Sequence, residues 1–221
     1  MKRTSPPFLF HELADLFGRG EIARASVLFK PEHALLRSAE NEALVDLAIY
    51  AGNRTAVEFL WPHSDPKAMN SQSRTPLMNA IIYELHDLVP LLASRSDLSQ
   101  HDEDGSDPLT LLFDHARVST LKPEHALALL GSTHPDEPLP EGRKSPFLQA
   151  FYTQNWPLTD AFLPLMSPAN ALLHKGDLAD KVSFYARQEA MELRAAMAAA
   201  TPPRETDLDP ESISSRAARR I

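Results

Sequence analysis

The chain has 221 residues, 43% apolar and 24% charged, enough for one elongated domain with its own core. A net charge of −8 with dispersed Lys and Arg argues against nucleic acid as the main ligand, and no apolar run is long enough to cross a membrane. Zero cysteines exclude a disulfide framework and any thiolate metal site, and the start Met1-Lys-Arg-Thr-Ser-Pro-Pro lacks the apolar heart of a signal peptide, so a cytoplasmic protein is expected. A dedicated secretion machine would leave no such mark.

In chain order, Phe8 to Phe17 and Ile22 to Phe29 read as two helices joined by the turn Gly18-Arg-Gly20. Ala43 to Ala51 follows as a third, ended by Gly52-Asn53. In Arg74-Thr-Pro-Leu-Met-Asn-Ala80, Thr75 is the expected N-cap, and Pro76 fits a first turn where its missing N–H has no partner. Leu77, Ala80 and Ile81 then share one face, as do Leu88, Leu91 and Leu92 in the next helix. The pattern returns as Ser106-Asp-Pro-Leu-Thr-Leu-Leu112. An extra segment, 117–122, precedes Pro123-Glu-His-Ala-Leu-Ala-Leu-Leu130. Residues 131–146, with Pro135, Pro138, Pro140, Gly131 and Gly142, suit a projecting connection without regular structure. Pro146-Phe-Leu-Gln-Ala150 opens the last pair, and Pro90 and Pro164 should shorten or kink second helices unless they sit in a first turn. Residues 177–200 read as a longer Ala-rich capping helix, and 201–221 as a flexible, locally basic tail.

Leu77 to Leu109, Pro76 to Pro108, Ala48 to Ala80 and Ala56 to Leu88 are each 32 residues apart, the mark of a repeat array. Two narrow apolar faces per unit cannot be buried within that unit, so stability requires stacking on neighbours. With Thr75-Pro-Leu and Asp107-Pro-Leu in place, the chain resembles the ankyrin repeat family, whose unit of about 33 residues carries Thr-Pro-Leu-His-x-Ala. The resemblance is clearest over 41–116. It implies an all-α, ankyrin-like solenoid of about five helix-turn-helix units (7–36, 41–69, 70–101, 102–138 and 141–175), giving a repeat domain over 1–176. The array is degenerate: the family histidine is Met78, Thr110 and Leu148, and the interhelical glycine, kept at Gly52, becomes Glu84, Ala116 and Gln154.

The densest acids, Asp97, Asp102, Glu103, Asp104 and Asp107, fall where the resemblance places a loop tip. It further implies that loop tips and the exposed side of the first helices bind a partner. On this chain those positions are His101, Glu103, Asp104, Ser106, Asp114 and His115, with Ser71, Gln72, Arg74, Ile82 and Tyr83 in the preceding repeat. Tyr50, Tyr83 and Tyr152 would form an aromatic ladder, a residue type enriched among interface hot spots, although a packed core stripe explains them equally. A solvated turn is the plainer account of the acidic loop taken alone.

Chemistry finds little support. Asp102-x-Asp104-Gly105 copies the middle of a calcium loop, but its flanks put Gln100 and Leu111 at ligand positions. The adjacent pairs His86-Asp87, His101-Asp102 and Asp114-His115 are weak candidates, because neighbouring helical residues point about 100° apart. No nucleophile elbow, zinc helix or phosphate loop is present, so no catalytic residue, metal or cofactor is expected. Lys30-Pro-Glu-His-Ala-Leu35 recurs intact as Lys122-Pro-Glu-His-Ala-Leu127, which reads as repeated helix starts, and Trp61 and Trp156 are expected to fill gaps between units. The expectation is a scaffold that binds another protein, one with a basic surface, as an inhibitor or immunity-type partner. An adaptor or secreted effector, and an enzyme using His and carboxylate groups in the groove, are the alternatives.

Overall fold

The computed structural model describes residues 6–166 apart from 132, with the side chains of 6, 7 and 141 left aside. Contacts divide the chain into Met1–Ser167 and Pro168–Ile221. The expected helix over 177–200, the tail over 201–221 and the end of the 141–175 unit lie outside the described residues.

Among the described residues the fold is all-α, with ten α-helices and no strand. They come as five pairs: α1 (Pro6–Gly18) with α2 (Ile22–Leu28), α3 (Leu44–Tyr50) with α4 (Arg54–Leu60), α5 (Pro76–Ile82) with α6 (Val89–Ala93), α7 (Pro108–His115) with α8 (Pro123–Leu130), and α9 (Pro146–Tyr152) with α10 (Trp156–Phe162). First helices touch first helices in the order α1, α3, α5, α7, and α8 lies between α6 and α10. The reason is the narrow apolar face of each short helix. Leu77, Ala80 and Ile81 of α5 are fully buried only because α3 and α7 lie on either side. A buried aliphatic side chain of this size contributes about 1.5–3 kcal/mol relative to exposure.

Local chemistry sets the starts. Thr75 accepts from the Met78 amide at 3.3 Å, Asp107 from Thr110 at 2.7 Å and Ser145 from Leu148 at 3.3 Å, each followed by proline in the first turn. At α3 the capping position is Ala43, which has no such oxygen. There Asp46, three residues on, reaches back with Oδ2 to accept from the Ala43 amide at 2.9 Å.

The turns repeat as strictly as the helices. Gly20 (φ 76°), Gly52 (φ 66°) and Glu84 (φ 59°), 32 residues apart, all take left-handed backbone between first and second helices, and Gln154 (φ 60°) does so in the last pair. Glu84 and Gln154 thus hold a conformation that costs a non-glycine residue about 1–2 kcal/mol. Ala116 does not, with φ −78° and ψ 147°; segment 117–122 opens that turn and carries a 3₁₀ turn over Val118–Thr120.

Two expectations need correction. Residues 131–146 do not simply project: Asp136 and Leu139 are buried, Leu139 bridges Arg143, and the Pro135 carbonyl accepts from the Phe147 amide at 2.8 Å. Proline-rich composition predicts turns but not whether they fold back on the core. Leu91 is exposed instead of sharing the buried face of Leu88 and Leu92. The cause is Pro90, which starts α6 afresh after a 3₁₀ turn at His86–Leu88 and so breaks the 3.6-residue phase. Pro164 likewise falls in a 3₁₀ turn, Leu163–Leu165, which takes over where α10 ends.

Trp61 is 2% exposed; its Nε1 donates to the Leu91 carbonyl at 3.2 Å, and the Arg95 guanidinium lies 5.2 Å from its ring centroid. It fills the space between α4 and α6, as expected of packing. Trp156 is half-buried at the start of α10.

Candidate functional site

The expected partner surface is built on three hairpin tips of one design. Ser38, Asn70 and Asp102, 32 residues apart, each donate a backbone N–H to the carbonyl four residues on, at 2.9, 3.0 and 3.1 Å. Each also turns its own side-chain oxygen onto two amides of its tip: Ser38 on Glu40 and Glu42, Asn70 on Gln72 and Arg74, Asp102 on Asp104 and Ser106, all within 2.9–3.2 Å. The residue closing each tip, Asn41, Ser73 or Gly105, has positive φ. Successive tips are tied together, with Asn41 Nδ2 donating to the Met69 carbonyl at 2.7 Å and the Ser71 amide to the Glu40 carbonyl at 3.2 Å.

This design divides the acidic cluster. Asp102, 6% exposed, organises its tip; Asp107 caps α7; Asp97 binds the Ser99 amide and hydroxyl, which hold its carboxyl below the usual range. Glu103 and Asp104 remain exposed at the tip, with His101 beside them and Ser106 half-buried. In the preceding tip Ser71 and Gln72 are exposed, whereas Arg74 is tucked between tips, 3.6 Å from Asp102 Oδ2 and donating to Gln72 Oε1 at 3.1 Å. Arg74 therefore joins the tips together instead of standing free. His115 is exposed, and Asp114 pairs with Arg143 at 2.7 Å rather than with its neighbour.

The tyrosines separate into a pair and a single residue. The Tyr50 and Tyr83 rings lie 4.8 Å apart, with Tyr83 51% exposed and Ile82 half-buried beside it. Asn70 Nδ2 donates to the Tyr50 hydroxyl at 3.2 Å, and burial pushes that hydroxyl up to about 12. Tyr152, 57% exposed, instead sits under the Lys144 ammonium, 4.2 Å from its ring centroid, and against Phe151. The repeat position matching Tyr83 in the intervening pair is His115, so no continuous ladder forms.

Two polar arrangements escaped sequence reasoning. Asp46 is buried and accepts from Asn79 Nδ2 at 2.9 Å across the α3–α5 contact; burial raises its pKa, against the hydrogen bonds from Ala43 and Asn79. An acid three residues into a helix whose cap lacks a side-chain acceptor is the signal that could have found it.

The second is a groove of about 740 Å³ between the turn of α5–α6 and the widened turn of α7–α8, lined by His86, Asp87, His115, Arg117, Lys122 and His125 among others. Lys122 Nζ lies 2.8 Å from Asp87 Oδ1, which holds the Asp87 carboxyl below and the Lys122 ammonium above their usual ranges. His125 Nε2 lies 3.3 Å from the same oxygen. Among the described residues its Nδ1 has no partner, nor has the buried Nε2 of His86, and the two rings are 6.2 Å apart. The repeated hexapeptide behaves differently in its two copies. His33 turns back so that its Nδ1 accepts from the Lys30 amide at 3.0 Å, while the matching His125 makes no cap and faces Asp87. Sequence identity fixed a helix start in both, 3₁₀ at Pro31–Leu35 and α at Pro123–Leu130, but the neighbours chose the histidine's partner.

No protein-family model matches the chain, and no curated protein matches it either.

Proposed function

We propose that the chain is an ankyrin-like solenoid that binds another protein through its hairpin tips and the adjacent first-helix face, contributing shape and negative charge and acting by steric occlusion as an inhibitor or immunity-type partner. The observation that carries this reading is the uniform tip. Three loops spend Ser38, Asn70 and Asp102 on holding their backbone rigid, which leaves Glu103, Asp104, His101, Ser71 and Gln72 presented on fixed supports. A preorganised surface loses little entropy on association. The Tyr50–Tyr83 pair beside it adds an exposed aromatic on a packed base, the arrangement of an interface anchor. Glu103 and Asp104, which form no ion pair among the described residues, select a basic partner surface and steer encounter with it.

The test is capture of partners from the native lysate on tagged wild-type protein and on the folded Glu103→Lys/Asp104→Lys variant, followed by an activity assay of the retained protein. One stoichiometric partner, lost in the variant, weakened by salt and inactive in the complex, is the expected result. A partner that stays active in the complex would replace inhibition with the adaptor reading. Equal retention by both proteins would place the interface elsewhere.

A further inference from the structure

We infer that the groove between residues 84–87 and 115–125 is a binding site for a tetrahedral oxyanion, a phosphate or sulfate group, gripped by Arg117 and by the His86 and His125 imidazoles. Three observations meet there. His125 is 5% exposed, and among the described residues neither its Nδ1 nor the buried Nε2 of His86 has a partner, although buried polar atoms are as a rule hydrogen-bonded. Arg117 is exposed on the rim and forms no ion pair among the described residues. The Lys122–Asp87 bridge neutralises the carboxylate that lies 3.3 Å from His125 Nε2.

Charge then dictates how the anion is held. With neutral imidazoles, Arg117 and Lys122 cancel Glu84 and Asp87, and the groove has no net attraction for an anion. A bare Nδ1 lone pair would also repel an oxyanion oxygen. In the protonated His125 ring both nitrogens carry a proton, so Nδ1 can donate to the bound anion while Nε2 faces Asp87 at 3.3 Å. Around His125, Asp87 and Glu124 favour the charged ring, whereas burial, the leading influence, and then Lys122 and His86 oppose it. In the free protein burial disfavours the charged ring, and the anion supplies a further negative partner for it. Binding therefore takes up a proton. The reading is independent of the protein-partner proposal, although His115 borders both surfaces.

The probe is inorganic sulfate, whose own charge is constant across the range, titrated into the whole chain while the imidazole C2–H resonances are followed by NMR. Saturable shifts of His86 and His125 are expected, with affinity rising up to about tenfold per pH unit between about pH 8 and pH 6. Arg117→Gln, at an exposed position, should weaken binding about tenfold or more. His125→Gln, checked for a cooperative melt like that of wild type, should abolish the pH dependence; if it does not fold, His86→Gln takes its place and should weaken binding. The inference is overturned if sulfate moves no imidazole resonance, if binding in Arg117→Gln equals wild type, if affinity is flat with pH, or if acetate binds as tightly as sulfate.

Discussion

Asn155 ties the last helix pair to the one before it, and its replacement should be among the costliest single changes outside the apolar core. Its Oδ1 accepts from the Leu158 amide at 3.2 Å and caps α10, while its Nδ2 donates to the carbonyls of Val118 and Leu121, both at 2.7 Å, in a fully buried setting. In Asn155→Ala the lost cap costs about 1 kcal/mol. The Val118 carbonyl keeps the Leu121 amide at 3.2 Å, so the main casualty is Leu121, whose buried acceptor loses its donor at about 1–3 kcal/mol. The total is about 2–4 kcal/mol. Asn53 provides the internal control: it caps α4 through Ala56 and donates to Phe17, but it is only half-buried, and the Phe17 carbonyl retains the Gly20 amide at 3.1 Å. Asn53→Ala should cost about 1 kcal/mol. Asn155→Asp sharpens the argument, since it preserves the cap oxygen but aims an anion at two carbonyls, and it should be at least as damaging as alanine near neutral pH. Urea unfolding followed by circular dichroism measures all three. Equal losses for Asn53→Ala and Asn155→Ala, or an aspartate variant as stable as wild type, would refute the view that buried inter-pair donors carry this junction.

The interhelical turn predicts opposite signs at equivalent positions. Glu84→Gly should raise stability by about 0.5–1 kcal/mol in thermal melts, while Gly52→Ala, whose added Cβ meets nothing within 4 Å, should lower it by about 1 kcal/mol through backbone strain alone. Tyr50 ionises near 12 in the folded chain against 10.0 for a free phenol, so its contribution is complete below pH 10.0 and is lost as pH rises toward 12. Spectrophotometric titration of wild type minus Tyr50→Phe should isolate that high component; a difference titrating at the ordinary value would contradict the buried hydroxyl. Asp46 carries a raised pKa, so its effect on stability is fully favourable below 3.8 and is lost as pH climbs through the folded value. Asp46→Asn should therefore flatten the pH dependence of the denaturation midpoint just above that point, and an unchanged slope would show that the carboxylate stays ionised when folded.

Much of the architecture was legible because it rests on local rules. Thr75, Asp107, Pro76 and Pro108 mark helix starts through capping and a fixed φ, and both effects act within four residues. The 32-residue spacing located the turns as well, down to Gly52 and Glu84 sharing one backbone state. The exposed residues of the candidate surface, Glu103, Asp104, Ser71 and Gln72, followed from the same register. Sequence patterning failed where one residue's partner lies one repeat away. Arg74 falls among the expected partner-surface positions, yet its guanidinium reaches Asp102 in the next tip, and Asp46 gives no hint of Asn79.

The hexapeptide Lys-Pro-Glu-His-Ala-Leu marks the boundary between the two kinds of information. Both copies begin a helical turn from local chemistry alone, because proline geometry and the helix dipole need nothing beyond the segment. Packing of distant segments makes His33 close its own cap while His125, buried beneath the widened turn, faces Asp87 and lines the groove. A side chain's hydrogen-bond partner is settled by whichever donor, acceptor or charge the fold brings within about 3 Å, and that neighbour is written elsewhere in the chain.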